Sequence, residues 1–367
     1  MNLTTSEMKS NAGKRDKKRI LLHEPEYSTY KNICSISSNY GLLISIFLSK
    51  LDKYLISMHN ARMSHAQRAQ TSGDVCFVRA YAKINLTLDV LGKRTDGYHD
   101  LATVMQTVDL YDTICLSATE DNQVQIVCTI PELSNDENLA TRAVHLVLQR
   151  LDIRQGVLIE LHKRIPMAAG LGGGSSDAAA VLLALQRWWQ LQLSPTDLLD
   201  MASSLGSDVP FFLFGGLALC EGRGERATSL SSHWPRTMRW ILLLKPAISV
   251  STAAVFRNLP ASDYTDGKHS RAVCAALDAG QTPELEDLHN CFERSVLETY
   301  PEVALSREAL LRAGASFVRL SGTGPTLFAP FPDLILAQNV QKQLQTQGYE
   351  VYLTRAIHPN DGIVSVF

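Results

Sequence analysis

From Lys83 to Leu91 apolar and polar residues alternate, with Ile84, Leu86, Leu88 and Val90 on one parity. Period-two alternation of this kind predicts a strand with one buried face. The same criterion predicts strands over 75–80, 102–110, 112–117 and 124–129, with a turn at 93–97 built on Asp96-Gly97. The period then lengthens. Leu139, Ala143, Leu146 and Val147 fall on one helical face, which predicts a helix from Asp136 and Glu137 to Leu151. A strand over 156–162 runs into a glycine-rich stretch, and an alanine- and leucine-rich helix follows over 175–190. Ser194-Pro195-Thr196-Asp197 opens another helix, with proline in its first turn. Gly206-Ser207-Asp208-Val209-Pro210 ends it, and a hairpin is predicted over 211–220. Further on, the pattern predicts a strand at 240–244, a helix at 252–258, a polar loop at 261–270 and helices at 284–298 and 302–313. Strands at 316–320 and 326–329 flank Ser321-Gly322-Thr323-Gly324-Pro325, and a helix at 333–347 and a strand at 349–355 complete the order. Helices and strands that do not alternate regularly predict the α+β class.

The 367 residues suffice for two domains, and a boundary is expected just before the strand at 240, giving 73–238 and 239–367. Residues 1–72 form a separate Ser/Asn/Lys-rich extension of charge +6, which leaves −8 on the remainder of a chain with net charge −2. An acidic body of this kind gives no sign of nucleic-acid binding. The apolar run at 41–48 is too short to span a bilayer. The extension is read as dispensable or as the product of a mis-assigned start, with Met58 and Met63 as alternative starts. A plastid transit peptide is the other reading, and Glu7, Asp16, Glu24, Glu26 and Asp52 argue against it. Seven cysteines without a C-x-x-C pair argue against a disulfide framework or structural zinc and fit a reducing, cytoplasmic setting.

The chemistry concentrates in Pro166-Met167-Ala168-Ala169-Gly170-Leu171-Gly172-Gly173-Gly174-Ser175-Ser176. A backbone with few side chains, leading into a helix N-terminus, suits phosphate. Two familiar nucleotide motifs are excluded. No lysine follows the last glycine as a Walker loop requires, and Ser175 stands at the third glycine of the dinucleotide fingerprint. The hydroxyls of Ser175 and Ser176 either cap the helix or reach a phosphate or its metal. Phosphoryl transfer without a Walker lysine needs a cation from elsewhere and a group that orients the acceptor. Lys83 and Asn85 share parity within an apolar strand, so they form either a paired polar site or a solvent-facing edge. Asp208, before Val209-Pro210, is a candidate for the orienting group or a simple turn-former.

Taken in order, Ala82-Lys83-Ile84-Asn85-Leu86, Gly97-Tyr98-His99, the loop from Pro166 to Asp177, Gly206-Ser207-Asp208-Val209-Pro210 and Ser321-Gly322-Thr323-Gly324 resemble the GHMP small-molecule kinase superfamily. Within it the chain resembles the 4-diphosphocytidyl-2-C-methyl-D-erythritol kinase family over residues 75–357. The resemblance implies a ribosomal-protein-S5-like first domain, the ATP-binding and catalytic one, and a ferredoxin-like second domain on the substrate side. It implies ATP-dependent phosphorylation of a cytidine diphospho-polyol, with Mg2+, in the non-mevalonate isoprenoid route, by a monomer or homodimer with no nucleic-acid or membrane partner. Homoserine or mevalonate kinase is the nearest alternative, and a catalytically silent ligand sensor a more distant one. Residue by residue, Lys83 and Asp208 match the catalytic pair, Asp208 orienting the acceptor hydroxyl and Lys83 balancing charge on the transferred group. Asn85 matches a polyol ligand. Tyr98 and Phe256 match an aromatic pair around the cytosine, His99 a reader of its edge or else a cap on the turn, and Thr252 a further substrate contact. The glycine loop, Asn138 and Lys163 match the nucleotide side, with Ser176 as a candidate metal ligand. Arg223 either contacts a diphosphate or points to solvent. The Ser321–Gly324 turn matches the superfamily's third motif, an ordinary hairpin turn being the alternative.

Overall fold

The computed structural model describes residues 75–230 and 234–358; the extension over 1–72, with its targeting and start-site alternatives, lies outside them. β1 (Val75–Asn85) pairs antiparallel with β3 (His99–Thr119), and the register shifts by a bulge between Tyr81 and Ala82. The residues left over lie on β3: Tyr81 faces Tyr111 while Ala82 faces Val108, so Asp109 and Leu110 have no partner on β1. The strand expected over 83–91 is divided, its first residues ending β1 and its last ones belonging to the next strand, which starts at Asp89. The strands expected at 102–110 and 112–117 are both parts of β3, which runs for 21 residues.

β3 is the spine of a seven-stranded sheet. It also pairs with β2 (Asp89–Lys93), β5 (Gly156–His162) and β6 (Leu217–Gly222). β4 (Val124–Cys128) lies parallel to β5, and β7 (Arg226–Ser229) closes the other edge. Two helices matter most for the site. α1 (Leu139–Leu151) is capped by Asn138, and α2 (Gly173–Trp188) follows the glycine loop directly. The α2 face made of Ala178, Ala179, Val181, Leu182 and Leu185 is fully buried. Its alanines allow the helix backbone close to the sheet, and each buried leucine contributes about 1.5–3 kcal/mol. α3 (Pro195–Leu205) opens on a reciprocal Ser194–Asp197 capping box.

The hairpin expected over 211–220 is not there. Val209–Phe214 forms a short helix, α4, and the strand β6 begins only at Leu217. Pro210 suits a first helical turn, and an unbroken apolar run carries no period that separates a short helix from a buried strand. Phe211 and Phe212 are both buried in the first core.

A second, four-stranded sheet is antiparallel, in the order β11 (Glu350–Thr354), β8 (Trp240–Lys245), β10 (Leu327–Phe331), β9 (Arg319–Leu320). Around it lie α5 (Thr252–Asn258), α6 (Lys268–Asp278), α7 (Glu293–Thr299), α8 (Pro301–Arg312) and α9 (Leu334–Thr346). α6 begins inside the expected polar loop, because Ser270 is buried and bonded to the buried Asp89 of β2. Polarity there marks a tie between elements and not exposure to water. The helix expected at 284–298 starts only at Glu293. A further apolar cluster, with Ile84, Val104, Ile241, Leu243, Val273 and Phe328, joins the two sheets. The class is α+β, and no helix among the described residues is long and apolar enough to cross a membrane.

Candidate active site

A cleft of about 1200 Å³ runs between the glycine loop, the turn preceding β3, the start of α4 and α5. Its walls carry Lys83, Asn85, Tyr98, His99, Asn138, Lys163, Pro166 to Ser175, Asp208, Thr252 and Phe256. Residues separated by up to 173 positions thus meet in one cavity, while Ser176 does not reach its wall. Its side chain is buried and its hydroxyl donates to the Tyr81 carbonyl at 2.6 Å, so it fastens α2 to β1 at the bulge. A metal-ligand role for Ser176 is at odds with that placement. Among the described residues no group of three or more His, Cys, Asp or Glu side chains could hold a metal ion.

The glycine loop is laced into the fold through its backbone. Leu171 O accepts from Lys83 N at 3.0 Å, and Ala169 O accepts from Thr326 N at 3.3 Å. Gly170 and Gly172 are left-handed, at φ of 74° and 71°. A Cβ at Gly170 would lie 2.3 Å from Ser321 O, and one at Gly172 would lie 2.8 Å from the Phe212 ring. Glycine is required at both positions by backbone conformation and by close approach alike.

At one end of the cleft, Lys83 Nζ donates to Asn85 Oδ1 at 2.6 Å and pairs with Asp208 Oδ2 at 3.4 Å. The strand-parity reading is thereby resolved: both side chains face inward and are buried. Asp208 occupies the N-cap position of α4, yet its side chain makes no capping bond. A turn-forming aspartate spends its carboxylate on nearby backbone N–H groups; this one directs it to Lys83 across a half-open site, with 36 % of its side chain exposed.

At the other end Tyr98 stands 54 % exposed, with the Arg223 guanidinium 5.0 Å from its ring centre. His99 packs on Phe256 with centroids 5.4 Å apart and meets Tyr264 edge-on at 5.9 Å. Phe256 is steadied from behind by Phe292 at 4.6 Å. Burial, aided by Lys93, pulls the His99 imidazole below its ordinary value, so it is neutral at pH 7. A neutral imidazole offers one donor and one acceptor. Thr252 and Thr323 hydroxyls pair at 3.0 Å, tying α5 to the second glycine turn.

The third part of the site was not anticipated from the sequence. Lys163 Nζ lies 2.5 Å from Asp112 Oδ2 and 2.7 Å from Asp177 Oδ2, all three side chains nearly inaccessible to water. Asp112 Oδ1 also accepts from the backbone N–H groups of Arg164 and Ile165. The triad therefore grips both sides of the glycine loop, its entry at 163–165 and, through Asp177, the N-terminal part of α2. One ammonium cannot balance two buried carboxylates. Burial pushes the Asp177 carboxyl up to about 7, despite Lys163 beside it, and Asp177 Oδ1 has no hydrogen-bond partner. Burial acts against charge on Lys163, but the two carboxylates outweigh it and its ammonium is held above its ordinary range. Asn138 is structurally committed too: its Oδ1 accepts from Ala140 N and its Nδ2 donates to Leu133 O, both at 2.9 Å. No periodic pattern signals Asp112, since it lies in a strand where an aspartate reads as an interruption.

Comparison with known proteins identifies the family. Residues 138–216 match the GHMP kinases N terminal domain, and residues 274–350 the GHMP kinases C terminal domain. The chain is 39 % identical over 282 residues to the 4-diphosphocytidyl-2-C-methyl-D-erythritol kinase of Clostridium kluyveri, covering 76 % of this chain and 99 % of that one. It is 41 % identical over 281 residues to that of Shouchella clausii, covering 76 % and 94 %. A crystal structure of 4-(cytidine 5'-diphospho)-2C-methyl-D-erythritol kinase superposes with a TM-score of 0.66 at 32 % identity, over 76 % of this chain and 98 % of that one. Homoserine kinase from Cytophaga hutchinsonii shares the fold, with a TM-score of 0.62 at 21 % identity over 79 % and 98 %. With about 40 % identity sustained from end to end of such relatives, and with both GHMP domains in place, the chain belongs to the 4-diphosphocytidyl-2-C-methyl-D-erythritol kinase family.

Proposed function

We propose that this protein transfers the γ-phosphoryl group of ATP to the 2-hydroxyl of 4-diphosphocytidyl-2-C-methyl-D-erythritol, in the non-mevalonate route to isoprenoid precursors. The observation that carries the reading is the Lys83–Asp208 pair, 3.4 Å apart, in a cleft that also holds a glycine loop and an aromatic cluster. In this reading residues 73–238 bind ATP, and residues 239–367 complete the substrate side with Thr252 and Phe256. The acceptor oxygen forms a bond to the γ-phosphorus as the bond from that phosphorus to the β,γ-bridging oxygen breaks. ADP leaves with that electron pair, and the hydroxyl proton passes to the Asp208 carboxylate. Lys83 offers its ammonium to the transferred group, and the backbone of Pro166–Ser175 cradles the ATP phosphates.

Asn85 holds the polyol, and Tyr98, His99 and Phe256 hold the cytosine. Arg223, against Tyr98, stands on the side from which the diphosphate reaches toward Asp208. Asn138 and Lys163 stand on the nucleotide side of the cleft, where they act through the helix cap and the loop anchor they already form. No residue among those described is assigned to Mg2+; bound together with ATP, the ion would neutralise charge on the phosphates. A cytosine clamp has no use in a homoserine or mevalonate kinase, which sets this reading above those alternatives. The proposed setting is the cytoplasm, a plastid being considered only if residues 1–72 are a transit peptide.

A coupled ADP-release assay with the cytidine substrate, homoserine and mevalonate tests the substrate. Asp208→Ala tests the chemistry: turnover is expected to fall about 100-fold or more with ATP binding retained, as for loss of a positioned base. Near-normal turnover would remove Asp208 from the role.

A further inference from the structure

Behind Lys83 lies a chain of buried hydrogen bonds whose directions are fixed by counting protons. Thr103 has a single hydroxyl hydrogen, and it is used on the Thr87 carbonyl at 2.5 Å. Toward Asn85, 2.8 Å away, Thr103 Oγ1 can therefore only accept. An asparagine side chain has one donating end and one accepting end, and little intrinsic preference between its two flipped orientations. A neighbour that only accepts selects the orientation with Nδ2 toward Thr103 and Oδ1 toward Lys83, whose Nζ lies at 2.6 Å. In the flipped orientation the carboxamide would present N–H groups to an ammonium and an oxygen to a lone pair. The anchor is itself fixed. Thr87 Oγ1 accepts from Val104 N at 2.9 Å and pairs with Ser270 Oγ at 2.8 Å, and Ser270 is bonded to Asp89 at 2.6 Å. Thr87 and Ser270 are buried behind the cleft, and Thr103 and Asn85 are nearly so at its wall.

We propose that Thr103 is a positioning residue for phosphoryl transfer: by accepting from Asn85 it locks that carboxamide oxygen onto Lys83 and so holds the ammonium in place beside Asp208. The proposal rests on the reading of Lys83 and Asp208 as the reacting pair. Thr103 bonds to Asn85 and Thr87 and to neither the ammonium nor Asp208, so its effect passes through Asn85.

Thr103→Val is nearly isosteric and exchanges the hydroxyl for a methyl; Thr103→Ala removes the hydroxyl and the γ-methyl together and serves if the valine variant fails to fold. Thr103→Ser keeps the hydroxyl. The readout is kcat for ADP release with the cytidine substrate, normalised to ATP-binding sites counted by calorimetry so that unfolded protein is not counted. Thr103→Val and Thr103→Ala are expected to lose about tenfold or more in kcat, the scale of a misaligned reacting group, with KM for ATP changed less than about threefold. Thr103→Ser is expected to recover kcat to within about threefold of the parent. Parental kcat in the valine or alanine variant, or a serine variant as impaired as they are, would overturn the proposal. Lys83→Met, run beside them, separates the two levels: full activity there would sink the reading of the pair itself, whereas an inactive Lys83→Met with unaffected Thr103 variants sinks only the positioning role.

Discussion

His99 carries a charge decision that its neighbours make for it. Pressed against Phe256 and Tyr264 and near Lys93, it is held neutral at pH 7, its proton affinity lowered first by burial and then by Lys93. A pyrimidine edge presents donors and acceptors together, and only the neutral ring matches it with one of each. The sign of the pH effect follows. Because the folded value lies below the ordinary histidine range, substrate binding has the neutral ring available at neutral pH and loses it only as acid is added. KM for the cytidine substrate is expected to stay flat around neutral pH and to rise only once the pH has fallen below the ordinary histidine range. KM for ATP should not follow it. His99→Gln keeps a donor and an acceptor without titrating, and is expected to flatten the acid limb. A limb of unchanged shape in that variant would assign the effect to another group.

At the scale of elements, the loop between β5 and α2 is held by the Asp112–Lys163–Asp177 triad as much as by its own glycines. Removing Asp112 leaves Lys163 paired with Asp177 alone and frees two backbone N–H groups, so Asp112→Ala is expected to cost about 1–3 kcal/mol for each N–H left unpaired, read in denaturant unfolding. Asp177 gives the opposite kind of signal. Its carboxyl is raised to about 7 by burial, so the folded state holds a proton that the unfolded state releases at lower pH. Stability from this group is present below the ordinary aspartate range and declines as pH rises toward 7. The melting temperature of Asp177→Asn minus that of the parent should therefore climb between about pH 4 and pH 7 and level off above; a flat difference would show that the triad does not titrate there. This triad also marks where the sequence stops being informative. The glycine loop, the helix after it and the Lys83/Asn85 parity were legible because each is a local pattern with one physical cause. Asp112 and Thr103 were not, since a polar residue in a strand declares neither its burial nor its partner, and both partners lie across the sheet or beyond it. The bulge at Tyr81 and the helix at Val209–Phe214 were hidden for a related reason: alternation and apolar runs fix a period only where they are long and unbroken.

The whole molecule depends on bringing one glycine loop against another. Gly170 of the first loop and the Ser321–Gly324 turn of the second sheet meet closely: Ser321 Oγ donates to Gly170 O at 3.1 Å, and Asn290 Nδ2 braces the turn through Gly322 O at 2.8 Å. The loop from the first half and Thr252 and Phe256 from the second line the same cleft, so its width is set where these loops touch. A single methyl group tests this. Gly170→Ala puts a Cβ where Ser321 O stands, 2.3 Å away, and it also imposes a left-handed alanine. Gly280→Ala imposes the same backbone strain at φ 68°, with nothing within 4 Å of the new Cβ. Strain alone costs about 1–2 kcal/mol in either variant. The excess loss in Gly170→Ala then measures the contact between the loops, because the carbonyl it strikes is backbone and cannot rotate away. That variant is expected to be the less stable of the two and to raise KM for ATP and for the cytidine substrate together, since both share the cleft that the contact closes. Gly280→Ala should lose stability with both KM values unchanged. Equal stability losses in the two variants, with KM unmoved in Gly170→Ala, would mean that the loops separate without consequence and that the cleft is held open by the sheet-to-sheet core around Phe328 and Ile241.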